Sequence, residues 1–138
     1  MHPDLDIAKK RLNQKNLSLV IAKNCKVLFE TKSHGINDLL KAINHLADNM
    51  KGSSVADRIV GRAAALLLAY SGVVAVFGVT ISDGGIEVLK NNRIFYEFET
   101  RVPSILNLKK TEVCPFEKLV AEFSNPKKAC EKLMACCG

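Results

Sequence analysis

Tryptophan is absent from this sequence, phenylalanine and tyrosine together make up 6%, and there are only three histidines in 138 residues. So few aromatics leave little of the stacking platform on which single-stranded nucleic acids are bound. The 20 Lys and Arg against 14 Asp and Glu give a charge of +6, yet the basic pairs Lys9-Lys10, Lys109-Lys110 and Lys127-Lys128 fall in separate segments. Dedicated nucleic-acid binding is therefore not expected. No apolar run reaches the roughly 20 residues needed to span a bilayer, and "MHPDLDIAKKRLNQ" has no apolar run behind a basic start. Neither a membrane segment nor a secretory signal is expected, which places the chain in the cytoplasm with its five cysteines as reduced thiols. Cys136 and Cys137 lie near the end, but Ala135 stands fourth from it, so there is no prenylation box. There is no C-x-x-C pair, His2 is terminal, His34 falls in a loop and His45 points away from the apolar stripe of its helix. Zinc is not expected, and no other cofactor is implied. With no internal repeat and no linker, residues 1–138 read as one domain.

What is present is an orderly succession of elements. Residues 3–14 read as a helix with Leu5, Ala8 and Leu12 on one side. "LSLVIA" and "KVLFET" read as two strands, with "KNC" as the turn and Asn24 suited to a left-handed conformation. "INDLLKAINHLADNM" carries Ile36, Leu39, Leu40, Ile43, Leu46, Ala47 and Met50 at helical spacing. "VVAVFGVTI" fits a strand buried on both faces, "SDGGIEVLKNN" a helix and "IFYEFE" a strand. "RVPSILNLKKTEV" reads as irregular, because Pro103 cannot donate to a ladder. "CPFEKLVAEF" and "PKKACEKLMACC" close the chain as helices, with Pro115 and Pro126 near their starts and the last helix at 126–137. On the latter, Cys130, Leu133, Met134 and Cys137 share one face, as core residues would. The alternation predicts an α/β domain, a three-layer mixed sheet flanked by helices.

"SSVADRIVGRAAALLLAY", residues 53–70, reads as one further helix that is apolar nearly all round. Its only charges, Asp57, Arg58 and Arg62, share an arc with Gly61, Ala65 and Ala69. Ser53 or Ser54 would cap it, and Arg58 and Arg62 near a positive dipole end would welcome an anion. The alternative is structural: Asp57 neutralises the first turn, the arginines spread over the surface and Gly61 packs on the sheet. Ser82 and the following Asp83-Gly84-Gly85 stand where a buried strand passes into a helix, either an ordinary cap or a backbone approach for a phosphate. In "EVCPFEK", Cys114 falls at a helix N-cap with Pro115 first and Glu117 third. The dipole lowers the pKa of a thiol there, while Glu117 opposes this or serves as acid, base or capping partner.

The segments "ADRIVGRAAALL", "VPSILN" and "CPFE" together resemble a bacterial family of uncharacterised proteins, domain of unknown function 1893, over residues 17–123. Asp57, Arg58, Gly61, Arg62, Val102, Pro103, Ile105, Asn107, Cys114, Pro115 and Glu117 match its pattern. Leu108 departs from it, standing where arginine is usual. The resemblance implies a cytidine-deaminase-like fold, with the 53–70 helix placed like the one that carries the deaminase zinc ligand and glutamate. The zinc motifs of that chemistry, H-x-E with P-C-x-x-C, are lacking. It also implies that the charged arc and the Cys114 helix start wall one pocket.

Two functions compete on these grounds. One is a zinc-independent pocket for a small anionic or nucleotide-like molecule, with Arg58, Gly61, Arg62, Ser82 and Asn107 as contacts and Cys114, Glu117 and Asp57 supplying any chemistry. The other is a non-catalytic regulatory or protein-interaction domain, its charges a structural network and its basic surface facing an acidic partner.

Overall fold

In a computed structural model that describes residues 2–33, 35–105 and 114–137, with side chains described as far as residue 135, five strands form one mixed sheet. Helix α1 (Pro3–Gln14) leads into β1 (Leu19–Lys23) and β2 (Lys26–Thr31). Asn24 (φ 53°) and Cys25 (φ 64°) both take the left-handed conformation, so the connection is the tight turn that matches strand twist. Asp4 of α1 holds this turn, accepting from the backbone N–H of Asn24 at 3.1 Å and of Cys25 at 2.7 Å.

Helix α2 (Ile36–Leu46) buries Leu39, Leu40, Ile43 and Leu46. The chain then turns through a short 3-10 segment (Ala47–Met50) whose Ala47 is exposed and whose Met50 is fully buried. Next come β3 (Ser54–Val60), α3 (Arg62–Tyr70), β4 (Ala75–Ser82), α4 (Asp83–Asn91), β5 (Phe95–Val102), α5 (Pro115–Val120) and α6 (Pro126–Cys137). The sheet order is β2-β1-β3-β4-β5, with β1 antiparallel to β2 and β3, and β3, β4 and β5 parallel.

The expected single helix over 53–70 is therefore corrected: Gly61 divides it into a strand and a helix. Val55, Ile59 and Val60 are β-branched, and β3 gains ladders to β1 on one side and β4 on the other. A seven-residue segment recovers far more from two ladders than from prolonging a helix. Ser53 and Ser54 are buried before and at the start of the strand, and Ser53 Oγ donates to Met50 O at 2.6 Å; neither caps α3. The other elements are found where expected among the described residues, except that α2 ends at Leu46, which leaves Ala47 off the buried stripe, and β5 extends to Val102; residues 106–113 of the expected irregular stretch lie outside the described residues.

Two cores lie on opposite faces of the sheet. On one, α1 packs Leu5, Ala8 and Leu12 against Val20, Ala22, Ala56, Ala75 and Phe77. On the other, helices α2, α3, α4 and α6 pack over Leu19, Ile21, Val55 and Val76. Val55 and Val60 meet the same core although they are five positions apart, as do Val76 and Ile81, so side-chain alternation breaks near the carboxyl ends of β3 and β4.

Arg58 ties the smaller layer down. Its Nε donates to Leu17 O at 2.7 Å and its Nη2 to Leu12 O at 3.2 Å and Asn16 Oδ1 at 3.3 Å, at the end of α1. Replacing Arg58 with Ala is expected to lower stability by about 2–3 kcal/mol, because several charge-assisted bonds go together. Lysine should recover little of it, having no planar fork to reach these acceptors at once. Urea unfolding of both variants checks this.

Candidate functional site

The parallel strands β3 and β4 end side by side, and α3 and α4 leave from that edge, where open α/β sheets gather ligands. Gly61 is the N-cap of α3 and offers no side chain to the first N–H groups of the helix. The acceptor arrives from α5. Arg62 N–H donates to Glu117 Oε1 at 2.6 Å and Ala63 N–H to Glu117 Oε2 at 2.7 Å. A helix start is an anion seat, and here the anion is the protein's own carboxylate. Burial pushes the Glu117 carboxyl above its ordinary pKa, while the two N–H groups and the Arg62 charge pull it down.

The glycines at this edge stand where other parts of the chain approach closely. A Cβ on Gly61 would collide with the Glu117 carboxylate and lie 2.8 Å from Ile105 Cγ1. At Gly85 it would stand 2.8 Å from Val60 O, so the start of α4 rests on the end of β3. Ser82, fully inside, accepts from Gly85 N–H at 3.0 Å and caps α4.

The arginines part company. Arg58 points to the α1 face as described. The Arg62 side chain, 13% exposed, runs the other way: Nη2 donates to Phe123 O at 2.6 Å, and Nε to Phe123 O at 3.2 Å and Val120 O at 3.3 Å. Glu87 of α4 lies 3.5 Å from its Nη1. Asp57 stands opposite Leu19 and Gly78 in the ladders, partly buried, accepting from Ile59 N–H at 3.2 Å. Burial raises its pKa from the ordinary 3.8 to about 7, against the pull of the Ile59 and Arg58 N–H groups. Cys114 is half-exposed at the N-cap of α5 without a side-chain capping bond, and its N–H donates to Ile105 O at 2.8 Å.

The fold thus brings Gly61, Arg62, Ser82, Cys114 and Glu117 to one edge, with Asp57 four residues before Gly61 on β3. The Arg58 guanidinium goes to the opposite face of the sheet. Asn107 and Leu108 lie outside the described residues. Sequence reading missed Glu87 as a neighbour of this edge, since it lies on another helix and no local pattern marks it; Ile105 was marked by the "VPSILN" motif but not as a neighbour of Gly61.

Zinc does not suit this edge. The start of α3 presents N–H donors that select a carboxylate over a cation, and Cys114 brings a single thiol. Among the described residues no group of three or more His, Cys, Asp or Glu is assembled to hold a metal, and no helix is long and apolar enough to cross a membrane.

The pattern of domain of unknown function 1893 matches residues 7–135. The chain belongs to the DUF1893 family. The crystal structure of a DUF1893 protein from Thermotoga maritima superposes with a TM-score of 0.90 at 26% identity, over 99% of this chain and 92% of that one. Two forms of Acinetobacter baumannii RibD, whose chain has a cytidine-deaminase-like domain, share the fold. They match at TM-scores of 0.50 and 0.51 and 18% and 17% identity, over 61% and 70% of this chain but 28% and 35% of theirs. No curated protein matches the sequence. The expected cytidine-deaminase-like, three-layer α/β fold is thus the observed one, and the family match runs beyond residues 17–123 at both ends.

Two outcomes follow from this geometry. Glu117→Ala is expected to cost about 1–3 kcal/mol, since two buried N–H groups lose their acceptor. Gly61→Ala should cost a similar amount by expelling the same carboxylate. The double variant should then be less unstable than the sum by at least about 0.5 kcal/mol, read by a denaturation cycle. Asp57 gives a pH signature. Its native pKa is raised, so the native state holds the proton more tightly than the unfolded chain does, and stability falls as pH rises from about 4 to about 7. Asp57→Asn should match the parent near pH 4 and unfold at increasingly higher temperature than the parent up to pH 7, with a constant gap above.

Proposed function

We propose that this chain is a non-catalytic regulatory or protein-interaction domain built on a deaminase-like fold. The observation that carries this reading is the Glu117 carboxylate on the N–H groups of Arg62 and Ala63, 2.6 and 2.7 Å away. The place where a ligand anion would sit is filled from within, and both arginines are committed to backbone carbonyls. The charge of +6 suits an acidic protein partner. In this reading the chain works in the cytoplasm, and the Cys114 thiol is structural.

The reading is tested by unfolding the parent and Glu117→Ala with inorganic phosphate, nucleotides and sugar phosphates. A bound ligand at 100 times its dissociation constant adds about 2.7 kcal/mol. The parent is expected to show no selective shift and Glu117→Ala to gain one from phosphate, its helix start now open. Cys114 should alkylate at an ordinary thiol rate at neutral pH.

One observation favours a second reading, a zinc-independent pocket for a small anionic or nucleotide-like molecule. Asp57, in the middle of β3, has its pKa raised by burial to about 7, the range suited to a general acid or base. Asp57, Cys114 and Glu117 would then supply chemistry, and Gly61, Arg62, Ser82 and Asn107 would contact ligand, while Arg58, expected as a further contact, is held on the opposite face of the sheet. A selective shift in the parent that Arg62→Ala abolishes, or fast alkylation of Cys114, would favour this pocket over the interaction domain.

A further inference from the structure

β5 is the last strand of the sheet, paired with β4 on one side, and among the described residues no strand pairs with its other side. It is eight residues long. Its inner side is anchored from the first residue, Phe95 N–H donating to Val74 O at 3.2 Å. Edges of this kind are ordinarily short, bulged or covered, because free N–H and C=O groups invite another strand. This one instead leaves two aromatic residues part-exposed, Phe95 at 44% stacked on His2 and Phe98 at 40% stacked on Tyr96, and Glu99, Thr100 and Arg101 are exposed beyond them.

The order of residues along the edge says what fits it. We propose that β5 pairs antiparallel with β5 of a second copy of this chain, about a two-fold axis at Thr100, joining the two sheets into one. That register sets Glu99 against the partner's Arg101 and Arg101 against the partner's Glu99. It also sets Phe98 against the partner's Val102, and Thr100 against the partner's Thr100. Cross-strand pairs of opposite charge and of apolar side chains are the stabilising units of such a ladder.

Neighbouring registers lack this match. An axis at Phe98 opposes Glu97 to Glu99, one at Glu97 opposes that glutamate to itself, one at Glu99 sets Glu97 against the partner's Arg101 but opposes Glu99 to itself, and one at Arg101 opposes two arginines. Axes between residues in this stretch bring no opposite charges together. Arg101 is available for the pairing: it reaches Asp83 through Nε at 2.6 Å, and its side chain remains 57% exposed. A two-fold contact of this kind is self-complementary and closes at a dimer.

Sedimentation equilibrium on the full chain tests the proposal, with the charge-reversed variants Glu99→Arg and Arg101→Glu beside it. The parent is expected to be a dimer. Each variant alone should have its dissociation constant raised about tenfold or more, because like charges then face one another twice. An equimolar mixture of the two should regain the dimer, since every opposed pair is again of opposite sign. Circular dichroism confirms that each variant is folded. A parent that stays monomeric throughout its soluble range overturns the proposal. So do variants that dimerise as tightly as the parent, or a mixture no tighter than its components.

Discussion

The clamp between α3 and α5 is the constraint on which the candidate site depends. A helix that begins inside a protein leaves its first N–H groups without partners unless something reaches them. Gly61 supplies nothing, and Glu117 meets Arg62 N–H from 55 positions further along the chain. The return half of the clamp is Arg62, whose guanidinium takes the carbonyls of Val120, the last residue of α5, and of Phe123 just beyond it. Each short helix end thus answers the other's unsatisfied groups, and a six-residue helix too short to stand alone is held at both ends.

The same clamp separates fold from chemistry. The fold is cytidine-deaminase-like, and the edge where open α/β sheets gather ligands is present in its backbone. What occupies it is a carboxylate held by amides, with a glycine whose bare backbone makes room for it. Asp57, by contrast, accepts from the Ile59 and Arg58 N–H groups, and burial raises its pKa to about 7.

Much of the frame was legible along the chain because it is local. Asn24 announced the tight turn, the stripe of α2 announced its buried face, "VVAVFGVTI" announced a strand covered on both sides, and Ser82 announced a cap. The Pro115 start of α5 put Cys114 at an N-cap, where it is found. The segment 53–70 was not legible as a strand followed by a helix. Val55 and Ile59 recur at a spacing that suits a helix, the apolar α3 follows without a break in hydropathy, and only Gly61 marks the boundary. The sharing of Asp57, Arg58 and Arg62 on one arc therefore dissolved, since two of them stand on a strand and send their side chains by a different rule.

By itself the sequence determined the class of fold, nearly every element, the two buried helix faces and the family to which the chain belongs. These rest on periodicity, turn chemistry and motif, which short stretches carry alone. Only tertiary structure decided where the charges went. Whether residues 54–60 form a strand depends on β1 and β4 being there to pair with it. Whether the start of α3 awaits an anion or already holds one depends on a glutamate brought from another helix, and no local pattern records such a meeting.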